Sequence, residues 1–183
     1  MPEPVPNNLA RATSVVIYAR PDQGVEGAVS ALCEAAKRAQ LFAQVERRPA
    51  APGVERIEVH LSPNRFPPME AELPENVILL AAEAVPSVRD WIGRMPGGTL
   101  VVAETELEFP STRGTVYRMP FDEAARDLGV PVQTSVALGA WLRAARYIPL
   151  STIRGAYAND PTGLRGFNAG VELIEPMAGY PDE

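Results

Sequence analysis

The segment NVILLAA, residues 76–82, narrows most sharply what this chain can fold into. A strand with one wet face alternates apolar and polar residues. This run does not alternate, and turn-forming residues bound it, so it has the profile of a strand buried on both faces. TLVVAE, residues 99–104, repeats the pattern. Strands of this kind belong to sheets whose helical crossovers cover both faces, which predicts a mostly parallel arrangement.

The rest of the chain supplies matching pieces. SVVIYA (14–19) reads as a first strand. Over Val25–Phe42, Val29, Leu32, Cys33, Ala36 and Ala39 recur at three- and four-residue spacing and so share one face of a helix. VERIEVHL (54–61) sets Val54, Ile57, Val59 and Leu61 against Glu55, Glu58 and His60, with a slip near Arg56, and reads as a half-exposed strand. A polar, proline-broken stretch (62–75) follows. Val85–Arg94 suits a short helix closed by Pro96-Gly97-Gly98, and TVYRMP (115–120) a weaker strand. Asp122–Leu128 is a helix stopped by Gly129 and Pro131. A longer helix spans 134–148 with Thr134 or Ser135 as its cap, another starts at Ser151, and 159–175 adds a turn or two. There is no internal repeat. The prediction is one α/β domain over 13–175: three layers, a mostly parallel sheet and helices on both faces. An extended N-terminal tail (1–12) and a C-terminal tail (176–183) flank it, rich in the chain's 19 prolines. Such tails suit docking on a neighbour or disorder equally well.

Composition removes whole classes of function. With 183 residues there is room for one domain. A net charge of −6 argues against nucleic acid as partner, since phosphate neutralisation needs surplus cations. One cysteine, Cys33, and one histidine, His60, exclude a disulfide, a cysteine-held cluster or a multi-histidine metal site within this chain alone. MPEPVPNNLARAT has neither the basic nor the apolar region of a secretory signal, and no apolar run approaches the ~20 residues of a membrane span. A cytoplasmic protein is expected.

The candidate functional residues begin in ARPDQGVEG (19–27), a strand–loop–helix junction of the kind that holds phosphate in many α/β proteins. A phosphate cradle uses glycines, but Pro21 removes one N–H and Asp22 places a negative charge where the anion would sit. A self-capped loop without a ligand is therefore expected, with Gln23 and Gly24 shaping the turn. Arg47 and Arg48, with Arg56 nearby, form the best electropositive group, set against a solvated strand end. His60 is expected at the surface and Cys33 as an inert core thiol. Trp91 and Trp141 read as core or interface anchors. Ser135 lacks a nucleophile elbow, and with a single distant histidine no hydrolase triad forms. Glu104, Glu106 and Glu108 alternate onto one face as an acidic strand edge, which suits a cation less well than it suits solvent. No catalytic residue and no metal ligand is expected.

Taken in order, these segments resemble the gamma subunit, or equivalent domain, of the thiamine pyrophosphate-dependent 2-oxoacid:ferredoxin oxidoreductases. The likeness runs from about residue 13 to 158. ARPDQGVEGAVSAL stands where the family has a Gly-x-Gly-Gly-Gln-Gly loop, keeping only Gln23 and Gly24. VERRPAAPGVERIEVHLS is similar to its Glu-Arg-Arg-Gly segment, with Pro49 in place of the glycine. VILLAA, GGTLVV, VYRMPFDEAARDLGVP and TSVALGAWLRAARYIPLSTIRGA fall in the family's order, with Gln133 or Thr134 near its usual Asn. The resemblance implies a structural, active-site-closing subunit, not active alone, of an enzyme that oxidatively decarboxylates a 2-oxoacid to an acyl-CoA. Electrons would pass to ferredoxin or another acceptor. It implies alpha, beta and delta-type partner subunits that carry thiamine pyrophosphate and iron–sulfur clusters, and coenzyme A in the complex; this chain alone would hold no cofactor. Gln23, Gly24, Arg47 and Arg48 are the positions it singles out for contact with a cofactor, Arg47 and Arg48 meeting a CoA phosphate or a partner's carboxylate. Two rivals stay open: a free-standing Rossmann-like nucleotide or acyl-CoA binder, and a non-catalytic assembly paralogue.

Overall fold

The computed structural model describes residues 11–65 and 73–174, so the expected tails lie, apart from residues 11 and 12, outside the described residues, as does part of the 62–75 stretch. Six strands form a single sheet in the order β2-β3-β1-β4-β5-β6. Four of them, β1 (Thr13–Ala19), β4 (Asn76–Leu79), β5 (Leu100–Glu104) and β6 (Thr115–Met119), run parallel. β3 (Val54–Ser62) runs antiparallel to β1, and β2 (Phe42–Ala51) closes a hairpin against β3 at the edge. The mostly parallel α/β sheet is as expected, with an antiparallel arm added.

Alternate residues of the central strands feed two cores. Val15, Ile17, Ile57, Val59, Ile78 and Val102 face one side, where α1 (Val25–Arg38), α3 (Phe121–Leu128), α4 (Gln133–Ala145), α5 (Leu150–Ala156) and α6 (Pro161–Leu173) pack. Val16, Tyr18, Val77, Leu79 and Val101 face the other, where α2 (Val85–Ile92) is the one α-helix among the described residues that packs. The lack of alternation in 76–82 and 99–104 thus has its cause: each strand is apolar on both sides because each side has a core to fill.

Three expectations need correcting. The first helix stops at Arg38, not Phe42, because Gln40 turns into the left-handed region (φ 60°) and reverses the chain into β2. β2 itself had no apolar alternation to betray it, being exposed along most of its length. β3 is buried on both faces: flanked by β1 and β2, it puts Ile57, Val59 and Leu61 in one core and holds Glu58 and His60 buried on the other side. Thr134 and Ser135 do not cap α4; both are buried within it, and Val132 precedes it without a side-chain cap.

The segment 159–175 carries a full helix, α6, capped by Asp160, whose Oδ1 accepts from Gly163 N at 2.8 Å. Its glycines had depressed the helical reading, and the packing explains them. A Cβ on Gly170 would stand 1.8 Å from Val136 O, and one on Gly139 of α4 would stand 2.1 Å from Phe167 O. Backbone touches backbone between α4 and α6, which only glycine permits.

Candidate functional site

In an open parallel sheet the ends of the strands following their direction are where ligands and partners are usually met. Here that end is built around the turn after β1. Pro21 opens a 3-10 turn (Pro21–Gln23) and Gly24 follows in the left-handed conformation, φ 74°, before α1 begins. The Gln23 side chain locks the turn: its Oε1 accepts from Arg20 N at 2.8 Å, and its Nε2 lies 3.4 Å from Leu80 O beyond β4. Its carbonyl accepts from Thr134 Oγ1 of α4 at 2.8 Å. Gln23 is 1% exposed, so it joins β1, β4 and α4 and presents nothing to solvent. At Gly24 a Cβ would stand 2.3 Å from Pro131 O, so the loop between α3 and α4 lies directly on this residue.

The N-terminal turn of α1 faces anions that the protein supplies itself. Glu26, in that turn, takes both arms of Arg47, at 2.6 and 3.0 Å, and Arg47 also reaches Glu55 at 3.4 Å. Glu26 holds the Arg47 guanidinium above its usual range. Carboxylates in a first turn suit the helix dipole. Asp22 is exposed and 3.5 Å from Arg20, whose guanidinium also reaches Glu83 at 3.3 Å. The turn is therefore closed by Gln23 and neutralised from within the chain, while α1 itself, preceded by Gly24, has no side-chain cap.

The structure separates Arg47 from Arg48. Neighbours in a strand point to opposite faces, so Arg47 joins the α1 side while Arg48 sits opposite Arg56 on the α2 side. On that side like charges oppose each other across the strands, Arg48 with Arg56 and Glu46 with Glu58. Pairing along each strand compensates: Arg48–Glu46 at 3.0 Å and Arg56–Glu58 at 2.7 Å. Arg56 also reaches the Tyr18 hydroxyl, whose titration is pushed up by burial. Tyr18 packs on Trp91 with ring centroids 6.4 Å apart. His60 belongs to this network, 3.3 Å from Glu58 and 4% exposed, which corrects the surface position expected for it. Cys33 is half-buried against the main core, and burial pushes its thiol up, away from the reactive thiolate.

Two polar roles were invisible in the sequence. Glu104, read as part of an acidic edge, is buried: its oxygens accept from Thr105 N at 3.1 Å and Asp122 N at 2.9 Å, so β5 caps α3. Tyr157 of the turn after α5 bonds Ser135 Oγ of α4 at 2.9 Å inside the core. Both link residues far apart in sequence, and no local signal announces them. Among the described residues no group of three or more His, Cys, Asp or Glu side chains is placed to hold a metal ion, and no helix is long and apolar enough to cross a membrane.

No protein-family profile matches the chain, and no curated protein matches it in sequence. Solved structures do match. The gamma subunit of a keto/oxoacid ferredoxin oxidoreductase from Geobacter sulfurreducens superposes with TM-score 0.72 at 16% identity, over 88% of this chain and 97% of that one. A pyruvate oxidoreductase subunit from Thermotoga maritima gives 0.73 at 16% identity, over 90% and 98%. A 2-oxoglutarate:ferredoxin oxidoreductase from Magnetococcus marinus, with 2-oxoglutarate, coenzyme A and succinyl-CoA bound, gives 0.75 at 17% identity, over 89% of this chain and 31% of that longer one. The fold is that of the two subunits and of a part of the longer chain.

Proposed function

We propose that this chain is a gamma-type subunit of a multi-subunit 2-oxoacid:acceptor oxidoreductase, with a structural, active-site-closing role. The observation that carries the reading is the end-to-end correspondence with the gamma subunit of a keto/oxoacid ferredoxin oxidoreductase and with a pyruvate oxidoreductase subunit, each matched over nearly its whole length. In this reading alpha, beta and delta-type partners bring thiamine pyrophosphate and the iron–sulfur clusters, electrons leave for ferredoxin or another acceptor, and coenzyme A enters at the edge of the assembly. The protein works in the cytoplasm.

Within that role the chain's residues divide the labour. Gln23 and Gly24 hold the turn after β1 as a fixed wall, their polar groups turned inward. Arg48 is exposed and lies opposite Arg56, and in this reading it meets a coenzyme A phosphate or a partner's carboxylate. Arg47, tied to Glu26 and Glu55, steadies the hairpin against α1.

The test is isolation of the tagged chain from its native cell. The expected result is a complex that contains iron and thiamine and decarboxylates a 2-oxoacid in the presence of coenzyme A. A stable monomer free of other chains and of both cofactors would overturn the reading.

A further inference from the structure

The sheet ends on β2 and β6, and these two edges differ. β2 carries Pro49 after Glu46, Arg47 and Arg48, and proline and clustered charge both discourage a further strand from pairing. β6 has no proline within it and a single charge, Arg118. Its two ends show how its backbone is turned. Thr115 N donates to Thr99 O at 2.9 Å, and Met119 O accepts from Thr105 N at 3.1 Å, so both residues face the β5 side. Successive residues of a strand turn their N–H and C=O to opposite edges. Val116 and Arg118 therefore turn theirs outward, where no backbone group meets them among the described residues.

The two faces beside this edge are unlike each other. On the α1 side lies a cleft of about 330 Å³, lined by Tyr117 and Met119 of β6, Ala144 of α4, and Leu173 and Ile174 where α6 ends, with Arg143 and Arg146 beside them. On the α2 side Arg118 is exposed, its guanidinium 4.5 Å from the centre of the Phe109 ring and donating to the Leu107 carbonyl. It pairs with no carboxylate among the described residues. The side chains of a strand alternate between faces. A strand laid along β6 therefore puts every second side chain in the cleft and the intervening ones beside Arg118.

We propose that β6 takes an extended segment of a partner protein as a seventh strand, with acidic side chains against Arg118 alternating with apolar ones in the cleft. The outward groups of Val116 and Arg118 supply the main-chain hydrogen bonds, and the unlike faces supply the selection. A second copy fits this edge less well, because β6 itself contains no carboxylate to meet Arg118. The proposal does not depend on the oxidoreductase reading, since it concerns only what this edge accepts.

Two blocked peptides serve as probes, Glu-Val-Glu-Val-Glu and Lys-Val-Lys-Val-Lys, with amide hydrogen exchange followed by NMR in the full chain. The Val116 and Arg118 amides are expected to exchange freely in the chain alone. The glutamate peptide should slow both saturably, and the lysine peptide should leave them unchanged at the same concentration. Val116→Pro removes one outward N–H without touching the ladder to β5, and should abolish the protection at Arg118. Arg118→Gln, at an exposed position, should weaken the glutamate peptide about two- to five-fold at unchanged melting temperature. Amides left unprotected at millimolar glutamate peptide, or protected equally by both peptides, would overturn the proposal. So would amides already slow without peptide, which would give the edge to a second copy or to another part of this chain.

Discussion

Replacing Gly24 with alanine adds one methyl group at the tightest point of the candidate site. Two costs follow from the geometry. At φ 74° an L-residue sits in the left-handed region, which costs about 1–2 kcal/mol. The new Cβ would also stand 2.3 Å from Pro131 O and 3.2 Å from Val132 Cα. These are backbone atoms that no rotamer can move aside, and forcing such a contact apart costs roughly 1–3 kcal/mol more. The sum, about 2–5 kcal/mol, corresponds to a fall in melting temperature of roughly 5–15 °C for a domain of this size. Gly53, in the β2–β3 turn, is the control: its φ is also 74°, but nothing lies within 4 Å of its Cβ. Gly53→Ala should therefore show the backbone cost alone, about 1–2 kcal/mol. Urea unfolding followed by circular dichroism gives both values. If Gly24→Ala loses no more stability than Gly53→Ala, the loop before α4 does not press on the turn, and the account of a rigid wall fails.

Two further perturbations bear on the buried polar links. Burial is the leading cause that raises the Glu104 carboxyl above its ordinary value of 4.5, partly offset by backbone N–H donors from Asp122, Thr105 and Phe121. A raised carboxyl favours the folded state most when protonated, so its contribution is full below pH 4.5 and declines as pH rises through the folded value. The stability advantage of wild type over Glu104→Gln should accordingly shrink as pH rises above 4.5, while Glu104→Ala, which uncaps α3, loses about 0.5–2 kcal/mol; urea midpoints at several pH values that show the Gln gap constant or widening would count against this. Tyr157→Phe strands the buried Ser135 hydroxyl and should cost about 1–3 kcal/mol, whereas the double variant with Ser135→Ala should be no less stable than Tyr157→Phe alone. Simple addition of the two single losses would mean that the hydroxyls do not depend on each other.

What could be read in advance follows from how local each signal is. Strands β4 and β5 were legible because burial on both faces leaves a run with no alternation, a property of seven consecutive letters. The turn after β1 was legible as a loop that supplies its own charge, since Pro21 removes an N–H and Asp22 brings a carboxylate; that the Gln23 side chain closes it, with Asp22 paired only to Arg20, was not. β2 was not: an exposed edge strand carrying Glu46, Arg47, Arg48 and Pro49 has no core to pattern it, and only the Pro52-Gly53 turn marks the hairpin. His60 misled for a related reason. Polar residues at alternate positions imply a wet face only if water is what they meet, and here they meet one another. α6 was underestimated because Gly163, Gly166 and Gly170 lower helix propensity, and their reason for being there lies on another helix. The roles of Glu104, Thr134 and Tyr157 depend on partners 18, 111 and 22 residues away.

The backbone contact between α4 and α6 has a consequence for binding. Where Gly139 and Gly170 meet the opposite backbone, no side chain stands between the helices to change rotamer and absorb a displacement. Thr134 fastens the Gln23 carbonyl to that same helix one and a half turns earlier, so the turn after β1 inherits its stiffness. A surface already ordered before contact gives up little conformational entropy when something docks on it. A partner or coenzyme meeting this edge would then owe its affinity to contact alone, with no offset for immobilising a loop.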